Sequence, residues 1–139
     1  MVISHRPEFE RRFEKAVEKA LRLVGGQAER IAKETISDME AVDTGFLRNS
    51  ITFALAGDSA NTPMYTDDTK GQTGEYSGEA PEDEGGKVRT VYIGTNVYYA
   101  PYVEYGTSRM AARPFLSQSI SSHQRDYQEL FEDAFNAFL

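Results

Sequence analysis

The chain has 139 residues, 40% of them hydrophobic and 12% aromatic, which suits one domain with a buried core and argues against a disordered chain. It has no cysteine, so disulfide staples and thiolate metal sites are excluded and a reducing compartment is expected. The net charge of -7 arises in residues 57–86, where eight acids stand against one base, Lys70; the other residues balance, with no lysine–arginine cluster of the kind a tight nucleic-acid binder needs.

Residues 7–41 read as one long amphipathic helix. Phe9, Phe13, Val17, Ala20, Val24, Ala28, Ile31, Thr35 and Met39 recur at steps of three and four, and charges fill the other faces. Pro7 suits the first turn, where its missing N–H would be unpaired anyway. Gly25-Gly26 is a weak point in that helix, and two helices joined by a tight turn are the alternative. A short turn over 44–50 follows, with Asp43 as its N-cap, and residues 51–56 read as a strand.

Residues 57–86 are expected to be a long, acidic, flexible loop. Residues 88–95 are the clearest strand, alternating from Val88 to Gly94. The stretch 97–106 is aromatic and contains Pro101; it predicts a turn leading into a short helix stopped by Gly106. Pro114 then opens a last helix whose apolar stripe is Phe115, Leu116, Ile120, Tyr127, Leu130, Phe131, Ala134, Phe135 and Phe138. The order predicts a single α+β domain over 1–139. A long N-terminal helix and a C-terminal helix pack on a small antiparallel sheet; the core is 1–56 and 87–139, and 57–86 is an insertion.

Asp43-Thr44-Gly45 matches the tripeptide that carries the aspartate of dimeric aspartic proteases. That chemistry needs two carboxylates held close enough to share a proton, on loops wedged between strands. Here a helical pattern precedes the tripeptide and the bulky Phe46 follows it. The structural reading fits better: Asp43 caps, Gly45 permits a sharp turn, Leu47 anchors to the core, and Arg48 stays wet or pairs with an acid. Neither a phosphate-cradling loop nor a Ser/His/acid set is suggested. His5 and His123 lack metal-ligand spacing and are expected at the surface. No apolar run has the length of a membrane span or a signal-peptide core, so a soluble protein made in a cytoplasm is expected.

The order of segments is more telling than any one of them. A long helix leads into 43-DTGFLRNSI-51, and a strand ending 93-IGTN-96 leads into 98-YYAPYVEYGTSRMAARPFLSQSI-120. This resembles the HK97 gp10-like family of tailed-phage proteins, over most of the chain apart from residues 57–86. The resemblance implies a non-enzymatic structural protein of the virion, assembled in the bacterial host cytoplasm and acting at the neck or tail end where head meets tail. It implies a ring of six copies bound to other neck or tail proteins, with no cofactor, no metal and no membrane.

The residues suit such a role. Interfaces favour tyrosine, methionine and arginine and disfavour lysine. Tyr98, Tyr102, Tyr105, Arg109, Met110 and Arg113 are therefore the expected contact residues. Tyr99, Val103 and Phe115 are expected to face inward, with Gly106 and Pro114 shaping the turns between them. Glu104, set among aromatics, is expected to pair with Arg109 or Arg113. An acidic segment repeated around a ring would repel passing DNA without gripping it, and the alternative is a solvated insertion that orders only against a partner.

Overall fold

A computed structural model describes residues 6–39, 44–67, 72–95, 97 and 99–139, with the backbone alone for 44, 59–67 and 72–79. Helix α1 spans Arg6–Asp38 without a break. It passes through Gly25-Gly26 because Gly25 is a contact point rather than a hinge. A Cβ at Gly25 would lie 2.3 Å from the ring of Phe53, so that ring fits against the helix only where no side chain stands.

Helix α2 (Thr44–Ser50) turns the chain into strand β1 (Thr52–Leu55). Strand β4 (Val91–Gly94) pairs with β1 antiparallel, Phe53 opposite Ile93 and Ala54 opposite Tyr92. These two strands are the expected small sheet, and it packs on α1. Asp58 secures the corner after β1. Its backbone N–H donates to Leu55 O at 2.9 Å, its carboxylate accepts from Leu55 N at 3.1 Å, and Arg22 of α1 grips both carboxylate oxygens. Gly57 turns there with φ of +82°.

Between β1 and β4, the segment expected to be a loop holds a two-stranded ribbon, β2 (Ser59–Asp67) with β3 (Gln72–Glu79). Threonine and tyrosine, which favour extended backbone, recur on both sides, and acidity is no bar to pairing in water. The register shifts between Thr62 and Tyr65, so two residues of β2, Pro63 and Met64, oppose one of β3. Proline, with no N–H for the ladder, is tolerated at such a bulge.

Helix α3 spans Ala100–Tyr105 and ends at Gly106. The expected single last helix is two, α4 (Phe115–Ser121) and α5 (Gln124–Phe138). Serines and a histidine at the break are weak helix formers, and they satisfy backbone groups themselves. Tyr127 donates its hydroxyl to Ser119 O at 2.9 Å, and the His123 ring lies 3.2 Å from the same oxygen. Ser119 is buried and donates to Leu116 O at 2.8 Å; Ile120, expected in the apolar stripe, is exposed, and His123, expected at the surface, is half-buried.

The core lies at the C-terminal half of α1. Ala32 and Ile36 meet Leu47 and Ile51 from α2 and its exit, Val97, Ala100 and Val103 from α3 and its approach, and Phe115 from α4. Phe115 is wholly buried. Helix α5 runs back antiparallel along α1: Phe13 meets Phe135 edge-on at 5.2 Å, and Arg12 donates to the Leu139 carbonyl at 2.7 Å. At this end Arg89, just before β4, makes a two-pronged pair with Glu14, both bonds 2.7 Å, above the ring of Phe13.

Candidate functional site

The segment from α3 to α4 is short, and its shape is over-determined. At Gly106 φ is +78°, and a Cβ there would lie 2.7 Å from Ala112 N and 2.9 Å from Met110 O. Left-handed backbone and close approach both demand glycine. Thr107 closes the next turn. Its N–H donates to Met110 O at 2.8 Å, and its hydroxyl accepts from the N–H groups of Arg109 and Met110. Arg113 N then donates to Val103 O at 2.7 Å, tying the far side of the loop back to α3.

Glu104 holds the remaining corner. It is buried, and its carboxylate accepts from Leu116 N and Ser117 N, each at 3.0 Å, and from the Ser117 hydroxyl. These are the second and third residues of α4, whose first N–H groups have no partner inside the helix. Pro114, at the N-cap, offers no side-chain oxygen. Glu104 supplies from α3 the cap that the local sequence lacks, and its charge suits a helix N-terminus. The expected pairing with Arg109 or Arg113 is therefore replaced. Backbone donors claim both oxygens, and among the described residues neither arginine reaches it.

This frame presents Tyr105, 79% exposed, Tyr102, 55% exposed, and the exposed Arg109. Arg113 is half-buried. Met110, expected among the contacts, turns inward and packs on the core, as do Tyr99 and Leu116. Tyr98 lies outside the described residues, and so does Asp43. The rest of the 43–51 motif is structural. Leu47 is buried, Ser50 donates to Leu47 O at 2.6 Å and meets the hydroxyl of Thr95, and Arg48 donates to the Ser37 hydroxyl at 3.3 Å, with no acid partner among the described residues. Gly45 lies within α2 without left-handed backbone and with open space where a Cβ would go, so the sharp turn expected of it does not occur. Thr44 and Gly45 sit in a helix, not on the strand-flanked loop of an aspartic protease.

Electrostatics elsewhere serve the frame. The hydrogen bonds from Arg89 hold the Glu14 carboxyl below its ordinary range. Burial pushes Asp58 up, but the bonds from Arg22 and Leu55 N outweigh it and leave the group lowered. Among the described residues no group of His, Asp and Glu could hold a metal ion, and no helix is long and apolar enough to cross a membrane. Sequence reasoning missed the Glu104–Ser117 link; its one signal was a lone acid in an aromatic stretch thirteen residues before a serine.

A family model matches residues 6–106, that of bacteriophage HK97 gp10 and its like, a tail component. No curated protein and no solved structure matches the chain.

Proposed function

Because the chain belongs to the HK97-gp10-like family of phage tail components, a structural class of protein, we propose that it works by binding alone, as a neck or tail-completion protein that joins head to tail. In this reading copies associate into a ring, six to match a tail tube, and the ring contacts other neck or tail proteins. The observation that carries it is the Tyr102–Tyr105–Arg109 surface, two exposed aromatics on α3 and a cation on the loop that follows it, locked from both sides. Rigid aromatic and arginine anchors lose little freedom on binding and are the residue types that dominate interface energetics. The acidic ribbon would sit where its charge keeps passing DNA from sticking.

The test is electron microscopy of lysates from a phage in which this reading frame is stopped early. Filled heads beside finished but unattached tails are expected. Heads with no tails, or tails of runaway length, would move the protein to tail assembly or length control. Normal infectious particles would overturn the reading.

A further inference from the structure

A ring joins each copy to the next through two different surfaces, and the loop described above supplies one. We propose that the other is the outer face of α5, on which the Tyr102–Tyr105–Arg109 loop of a second copy docks. The inference rests on the ring reading and specifies its partner surface.

Placement is the first argument. The loop is anchored through Val103 and Phe115 to Ala32 and Ile36, near the C-terminus of α1. Helix α5 runs back along α1 until Phe138 lies beneath Lys19 and Leu139 meets Arg12. From Ile36 to Arg12 the helix rises about 36 Å at 1.5 Å per residue. The acidic face of α5 begins beside α4, where Tyr127 meets Ser119 O, and extends from there toward the far end of the strut, so it is a surface distinct from the loop, as head-to-tail contact requires.

Charge is the second argument. Residues 105–114 carry Arg109 and Arg113 and no acid, and the neighbouring Glu104 is already engaged on α4. On α5, Asp126, Glu129 and Asp133 recur at steps of three and four, all exposed, away from the side where Leu130, Phe131 and Ala134 turn inward. Among the described residues, the side chains of Arg109, Arg113, Asp126 and Asp133 make no hydrogen bond or ion pair, while Glu129 pairs with Arg125 at 3.5 Å. The loop therefore offers unanswered cations with two tyrosine hydroxyl donors, and α5 offers the unanswered carboxylates of Asp126 and Asp133. A two-fold contact of either surface with itself would set like charge against like, which complementarity disfavours.

The absence of cysteine makes the test clean. Ser108→Cys and Gln128→Cys, at exposed positions of the loop and of α5, are supplied singly and together to phage lacking the protein. Assembled particles are treated with a short bis-maleimide linker. The chain carrying both cysteines should give a ladder of covalent oligomers, and each single variant should stay monomeric. Dimers from Ser108→Cys alone would mean that loop meets loop, and would overturn the pairing. Monomers alone from the doubly substituted chain in assembled particles would overturn it too. In parallel, Tyr102→Ala with Tyr105→Ala should lower titre about a hundredfold or more, as expected for interface anchors. That loss without a ladder overturns the pairing and leaves the ring reading standing; full titre overturns both.

Discussion

The two halves of α1 are held by different physics. From Ala16 onward nine positions of the helix are buried, and Ala32 and Ile36 join a dry core with Phe115, Leu47 and Ile51. Before Ala16 none of the helix's residues is buried: Phe9 is 56% exposed, and the half-buried Phe13 meets Phe135 edge-on and lies under Arg89. One end is fixed by close packing, whose cost on disruption scales with the void left behind. The other rests on aromatic edges and solvent-accessible ion pairs, each worth little alone. The rigid end carries the tyrosine loop, where geometry must be held, and the looser end is where α5 terminates.

Five substitutions would break or sharpen that contrast. Phe115→Ala should be the most damaging, lowering unfolding free energy by about 3–5 kcal/mol in denaturant titration, because the ring is fully enclosed. Gly25→Ala should cost about 1–2 kcal/mol net, since overpacking against Phe53 outweighs the gain in helix propensity. Glu104→Gln should cost about 1 kcal/mol by the same measurement, because an amide can accept at one oxygen where the carboxylate accepts at two. Gly26→Ala, one residue on, should stabilise by about 0.5–1 kcal/mol, with open space at its Cβ; a loss there would mean that α1 needs a flexible point. Arg89→Ala should be the mildest, about 0.5 kcal/mol for a pair whose side chains stay more than a third exposed.

The Glu14–Arg89 pair also has a pH signature. The carboxyl is lowered from its ordinary 4.5 by its bond to Arg89. Its contribution is thus fully present above pH 4.5 and is lost as pH falls through the lower folded value. The wild-type advantage over Arg89→Ala, measured by urea unfolding, should shrink on acidification. An advantage that grows below that pH would refute the assignment.

Much of the fold was legible from spacing. The 3.6-residue periodicity over 7–41 marks a helix whichever way the glycine pair is read, and alternation marks both strands of the sheet. The α3–α4 region was legible as a tyrosine- and arginine-rich surface, but not which side chains turn outward. Met110 and Tyr105 look equally suited to a contact in sequence; the tight turn at Gly106 and Thr107 sends one to the core and leaves the other in water. The partner of Glu104 was equally hidden, because a helix cap drawn from another helix leaves no local pattern.

By itself the amino-acid order determined what local physics governs: helix and strand periods, the positions of glycine and proline, and where the acidic charge is concentrated. Only the tertiary structure decided how that order is used. It broke the last helix at Ser122 and His123 so that α5 could lie along α1, and paired 59–67 with 72–79. It spent the one acid of the tyrosine loop on the start of α4. Each of these rests on contacts between residues distant along the chain or on a choice among near-equal local options, and neighbouring residues alone cannot encode them.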